Sequence, residues 1–269
     1  MKTVITAIAL SVAFAASDSR AEDLSDADEI VSLANSASYY AGNDGRSEVR
    51  MIIRDAQGRE QRRQFTILRR TVEDAGDQDF LVVFSQPSDV RGTVFLVKKH
   101  VGRDDDRWLY LPGLDLVKRI SAGDKRTSFV GAHYFYEDVS GRDPGEDTHV
   151  LHETNDESYV LTHTPKDSSQ VEFSRYQTWI DKNTFLPTRI EYTNSAGNVY
   201  RRVEALEVEE INGYPTVTKS RVVDLDSDGQ TDMQFRYIAY DIGIPADVFT
   251  ERSLRRPPGE WLKRPAADQ

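Results

Sequence analysis

The chain has no cysteine among its 269 residues. That absence excludes a thiol nucleophile, disulfide cross-links, thiolate zinc sites and iron–sulfur clusters. It also excludes the acylated cysteine that anchors a bacterial lipoprotein. Positive charge is scarce as well. Lys+Arg number 34 against 45 Asp+Glu, giving a formal charge of −11 and a pI near 5.0. This is the wrong sign for a surface that must face phosphates, so no nucleic-acid partner is expected. Beyond residue 16 no apolar run approaches the roughly 20 residues needed to span a bilayer as a helix, and the chain is not expected to be membrane-spanning. Nucleophile-elbow, phosphate-loop and metalloprotease-helix motifs are missing too. Adjacent carboxylates such as Glu137-Asp138 arise by chance in so acidic a chain. No enzyme, catalytic residue or cofactor is expected.

What the chain does have is enough apolar (38%) and aromatic (10%) content for a core. Lys2, the uncharged run Thr3–Ala16 and the small residues Ser19 and Ala21 have the three-part layout of a secretory signal. Residues 1–21 are therefore read as a leader cleaved after Ala21, and residues 22–269 as one domain exported to the periplasm. With no disulfide to help it there, that domain must stand on its own core.

Between Asp23 and Tyr40, apolar residues recur at three- and four-residue steps (Leu24, Ala27, Ile30, Val31, Ala34), predicting a helix capped by Ser25 or Asp26. After Gly42 and Gly45 the period changes to two. Alternating segments from Ser47 to Ala239, separated by turns such as Asn194-Ser195-Ala196-Gly197, Asn212-Gly213 and Asp228-Gly229, predict about a dozen strands in a meander. Such a meander makes a barrel or a strongly curved sheet. One stretch, Asp124–Val139, carries four aromatics without alternation and is expected to form a short helix and loop that plugs or covers the sheet.

Several segments together resemble a known family. They are ANSASYYAGNDGRSEVRMIIRDAQGREQRRQFTILRR, then RWLYLPGLDLVKRI with KRTSFVGAHYFYEDV, the hairpin WIDKNTFLPTRIEYTNSAGNVYRRVE and the closing YDIGIPADVFTERSLRR. In this order, across nearly the whole mature chain, they are similar to the outer-membrane lipoprotein-sorting protein-like family of the LolA-like superfamily. The resemblance implies a mainly β fold, an incomplete, half-open antiparallel β-barrel with covering helices, LolA/LolB-like. It also implies a periplasmic carrier or chaperone that binds lipoprotein acyl chains or another lipid-like ligand on the concave face. An inner-membrane transporter or an outer-membrane acceptor would be its partner. The other function kept open is a periplasmic sensor or partner-binding module that regulates a membrane protein.

Hiding an acyl chain from water is worth about 0.8 kcal/mol per CH2, so an apolar lining under a cover is the minimum apparatus. Alternation assigns Met51, Ile53, Phe65, Ile67, Leu81, Val83, Phe95, Val97, Trp108 and Tyr110 to that lining. Phe129, Phe135 and Tyr136 are assigned to a lid, and Arg119 and Arg126 to a headgroup or partner contact at the cavity mouth. The phases are the weak point, because a one-residue slip turns every side chain to the other face. Eight arginines between Arg46 and Arg70 make the first hairpin basic, either as a solvated edge or as a docking surface. Asp224-x-Asp226-x-Asp228-Gly229 with Asp232 has the oxygen spacing of a calcium loop, but its twelfth position is Phe235 rather than Glu, which favours an acidic turn. His149 and His152 lie three apart on a predicted strand and point to opposite faces, so no metal site is expected.

Overall fold

The structure, a computed structural model, describes residues 23–72 and 76–264. The expected leader lies outside the described residues. Helix α1 (Ala27–Tyr39) starts where Asp26 accepts hydrogen bonds from the backbone N–H groups of Asp28 and Glu29 at 2.9 and 3.3 Å. The carboxylates of those two residues sit against the positive end of the helix dipole. The helix buries Ile30, Val31 and Ala34, the face that the spacing marks.

Thirteen strands follow, each overlapping its expected segment. The first arm is β1 (Asp44–Arg54), β2 (Glu60–Thr71), β3 (Gln78–Gln86), β4 (Val94–Lys99), β5 (Asp106–Leu111) and β6 (Leu116–Ile120). The second is β7 (Asp147–Thr154), β8 (Ser158–Pro165), β9 (Arg175–Asp181), β10 (Pro187–Thr193), β11 (Val199–Ile211), β12 (Tyr214–Asp224) and β13 (Gly229–Tyr240). All belong to one antiparallel sheet, in the order β6-β5-β4-β3-β2-β1-β13-β12-β11-β10-β9-β8-β7. Each arm is a meander. The two arms join at the centre through β1 and β13, where Val49 pairs with Phe235 and Met51 with Met233. Strands β6 and β7 are the free edges, and the chain between them, residues 121–146, is the aromatic-rich insertion.

The two faces are covered by different parts of the chain. On one, Leu68, Leu81, Val83, Val94 and Leu96 pack against Ile244, Val248, Phe249 and Leu254 of the C-terminal segment. That segment includes the short helices α3 (Glu251–Arg255) and α4 (Gly259–Leu262). It is held at its start by Asp44, whose carboxylate accepts the N–H groups of Ile242, Gly243 and Ile244 at 2.8–3.0 Å. On the opposite, concave face, α1 lies over the second arm, where Ile30, Val31 and Ala34 meet Tyr159, Leu161 and Ile180. The insertion lies over the first arm, where Phe129, Tyr134 and Tyr136 meet Val49, Phe65, Phe84 and Phe95. This is the half-open, helix-covered β fold that the sequence predicts.

Candidate ligand-binding cavity

The insertion is a folded cover rather than a loose loop. It runs through a 3-10 turn (Ala122–Asp124), a β-bridge between Ser128 and Phe135, helix α2 (Glu137–Ser140) and another turn (Pro144–Glu146). Phe129 is its plug. This side chain is 1% exposed, with ring centroids 5.5–6.3 Å from those of Phe65, Phe84, Phe95 and Tyr136. The neighbouring Gly131 and Gly141 take positive φ, +80° and +78°. A Cβ on Gly141 would lie 2.5 Å from the Tyr39 ring, so glycine there lets the cover approach α1.

Between α1, the insertion and the concave face lies a cavity of ≈ 440 Å³. Its walls differ along its length. Toward β2 and β3 they are Phe65, Ile67, Phe80, Val82 and Phe129, with Arg69 beside Phe80. Toward β8–β10 they include His163, Tyr176, Thr178 and Tyr192, with Tyr39, Glu137, Asp138 and Arg142 from the roof.

The polar end rests on one row of residues that the register lines up across five strands, of which His163, Tyr176 and Tyr192 border the cavity. His149 pairs with His163, His163 with Tyr176, Tyr176 with Tyr192 and Tyr192 with Arg201. Their rings stack along the row, His163 on Tyr176 at 4.3 Å and Tyr176 on Tyr192 at 5.2 Å, and the Arg201 guanidinium lies 5.1 Å from the Tyr192 ring centroid. The Nδ1 atoms of His149 and His163 face each other at 2.7 Å, a contact that only one proton can occupy. Burial, then the neighbouring His149, pushes His163 down to about 3, so it is neutral at pH 7 and its Nε2 bonds to the Thr178 hydroxyl at 2.7 Å. Tyr176 donates its hydroxyl to Asp147.

Above this row sits an ion network centred on Glu137, which is 2% exposed. Burial alone would raise its carboxyl, but Arg126, Lys125 and Arg142, at 2.7, 3.2 and 3.4 Å, hold it at about 2. Arg126 also grips Glu172 through two nitrogens, and Arg142 grips Asp147. The network ties the cover to the second arm.

These positions correct several expectations. Of the ten lining candidates, Phe65 and Ile67 border the cavity. Met51, Ile53, Phe95 and Val97 are on the concave face but inside the solid apolar mass that the insertion fills. Leu81, Val83, Trp108 and Tyr110 are on the opposite face, under the C-terminal segment. In β3 both faces are buried, so no alternation marks the phase. In β5 the large aromatics at 108 and 110 suggest the inner face, but the C-terminal segment needs them outside. Of the lid candidates, Phe129 borders the cavity and Tyr136 packs behind it. Phe135 lies between the guanidiniums of Arg126 and Arg201, at 5.0 and 4.4 Å. Arg119 is exposed and paired with Asp106, and Arg126 is buried with its charge already answered, so neither stands ready at a mouth.

The arginine-rich hairpin is not one surface. Arg46, Arg63 and Arg69 are buried, while Arg54, Arg59, Arg62 and Arg70 pair with nearby carboxylates. In the acidic turn, Asp224 accepts backbone N–H bonds from Asp226 and Ser227, and Asp232 pairs with Arg54 and Arg221. Among the described residues no group of three or more His, Asp or Glu side chains could hold a metal ion. The row ending in Arg201 escapes a reading of the sequence, because its members are 149, 163, 176, 192 and 201 and only the register brings them together.

A half-open antiparallel sheet with its concave face roofed by a helix and an inserted segment is the LolA-like architecture. A family model with the description "uncharacterized protein"-like matches residues 76–256, and the chain belongs to that family, with structural neighbours in the LolA superfamily and among lipoprotein-sorting protein-like structures. It is similar to a DUF1329 family protein from Desulfovibrio piger, at 29% identity and TM-score 0.76, over 84% of this chain and 96% of that one. A domain from Vibrio parahaemolyticus named for outer membrane lipoprotein sorting is 25% identical with TM-score 0.77, over 86% and 98% of the two chains. A LolA superfamily protein from Nitrosomonas europaea shares the fold at 20% identity and TM-score 0.65, over 84% and 98%. A search of curated proteins gives no match.

Proposed function

We propose that this protein is a non-enzymatic periplasmic carrier that binds the acyl part of a lipoprotein, or another lipid-like ligand, in the covered cavity. The observation that carries this reading is the cavity itself, ≈ 440 Å³ between α1, the insertion and the concave face. A space of this size is within the range of ligand pockets, roughly 300–1,000 Å³. The structural kinship with a domain named for lipoprotein sorting supports it. No helix among the described residues is long and apolar enough to cross a membrane. Together with the leader-like residues 1–21, this is consistent with a carrier working between an inner-membrane donor and an outer-membrane acceptor. Native mass spectrometry of gently purified protein is the test. The expected result is an adduct of lipid mass that organic extraction releases. Protein that is always ligand-free and has no affinity for fluorescent acyl probes would overturn the reading.

A further inference from the structure

Three elements meet at the polar end of the cavity, and each brings one oxygen that no protein group engages. They are the Tyr39 hydroxyl at the end of α1, the Tyr192 hydroxyl on β10 and Oδ1 of Asp138 on α2, and all three residues border the cavity. Their positions are fixed by other contacts. The Tyr39 ring packs against Gly141, and the Tyr192 ring stacks on Tyr176 at 5.2 Å. Oδ2 of Asp138 accepts the Phe135 N–H at 2.6 Å and pairs with Arg201, which leaves Oδ1 over. Among the described residues, the side-chain polar atoms that are both buried and unpartnered lie on Arg70, Gln78, Arg107 and Arg201. The three oxygens are not among them, so they are open to the cavity rather than sealed in protein. Tyr192 is nevertheless only 6% exposed. Burial raises both phenols, so each keeps its proton at pH 7 and can donate as well as accept, whereas a carboxylate oxygen only accepts. The set therefore matches a group that both accepts and donates. An anionic head would instead meet the negative oxygen of Asp138.

Resting on the carrier reading above, we propose that the ligand carries an uncharged polar head, a hydroxyl or an amide, held by Tyr39, Tyr192 and Asp138. The phenols donate to the oxygen of the head, and Oδ1 of Asp138 accepts its O–H or N–H. The hydrocarbon part lies along the mainly apolar walls, among them Phe65, Ile67, Val82, Val203 and Phe235. A pocket with a few converging polar groups orients its ligand through them. It also rejects an analogue that leaves those groups unpaired.

The test is displacement of Nile red, an uncharged dye, from the purified, delipidated protein by four probes: hexadecanamide, hexadecanol, hexadecanoate and hexadecane. The amide and the alcohol are expected to bind about tenfold more tightly than hexadecane, and hexadecanoate more weakly than either. Which of the two leads separates an amide head from a hydroxyl. Tyr39→Phe combined with Tyr192→Phe keeps both rings and is expected to remove most of that advantage while leaving hexadecane unchanged. Asp138→Asn is expected to raise hexadecanoate toward the amide. Should a variant fail to fold, the probe comparison on the unaltered protein decides alone. Equal affinity for all four probes would overturn the head site but keep the carrier reading, as would an advantage that survives both phenylalanine substitutions. Tightest binding of hexadecanoate would overturn the uncharged head. No displacement by any probe would overturn the carrier reading and the head site with it.

Discussion

The two halves of the concave face share an antiparallel meander but not a chemistry. Over the first arm, the face is mainly apolar and closed by rings, with Phe65, Phe84, Phe95, Phe129 and Tyr136 linked by ring contacts and Arg69 at the cavity's border. Over the second arm it is polar, and most buried groups there are held by a specific partner, although Arg201 keeps Nε and Nη1 without one. The contrast shows that a curved sheet does not by itself dictate an oily interior. The insertion supplies hydrophobic mass to one half and charges to the other, and the cavity lies where the two meet.

Emptying the apolar half should have the largest effect. Phe129→Ala is expected to cost about 3–5 kcal/mol by urea unfolding, because the four rings around it lose their common partner. A cost below about 1 kcal/mol would show that the insertion is only draped over the first arm. Breaking the polar half comes next. Glu137→Gln leaves Lys125, Arg126 and Arg142 facing a neutral amide, at a cost of about 3 kcal/mol. A carboxyl held at about 2 stabilises the fold fully above its unfolded value near 4.5 and loses that contribution as pH falls toward 2. The penalty of the variant should therefore shrink over that window, and a penalty independent of pH would contradict the ion network.

His163 gives a separate acid signature. Its folded-state value of about 3 lies below the usual 6.5, so the unfolded chain takes up the proton first and stability falls as pH drops from 6.5 toward 3. By pH 5 this amounts to about 2 kcal/mol. Unfolding curves measured between pH 7 and 5 should be less pH-dependent for His163→Gln by about that amount, and equal slopes would show that the histidine is not buried as described. The smallest effect expected is at the roof of the polar half. Asp26→Ala removes the cap of α1 and should cost about 1 kcal/mol, read as lower helix stability by hydrogen exchange with the apolar half unchanged.

The same contrast explains what could be read from the chain. The helix, the strand count, the turns and the covering role of residues 124–139 were legible because each follows from local periodicity or turn chemistry. Phe65 and Ile67 fall on the cavity face although Leu68 of the same strand is buried on the other, because the arginines and glutamines before Phe65 leave the start of β2 with a readable phase. Leu81 and Val83 do not fall there, since the C-terminal segment buries the other side of β3 and removes the polar phase marker. Arg126 looked available because its partner Glu172 is 46 residues away. His163, Tyr176 and Arg201 carried no local signal, because the row they form is a property of strand register.

The sheet order also has a kinetic meaning. Within each arm every strand pairs with its neighbour in the chain, whereas the β1–β13 seam and its clasp join positions as far apart as Asp44 and Ile244, 200 residues apart. Formed first, that seam would spend about 5 kcal/mol of loop entropy before any other contact repaid it. Formed last, it closes between two hairpin stacks that have already drawn its ends together, as the dependence of folding speed on local contacts favours. Pulsed hydrogen exchange during refolding should accordingly protect the amides of β1 and β13 facing each other after those of the arms. The pairing at the middle of this sheet is then the last to form, and the concave surface is not continuous until that seam closes.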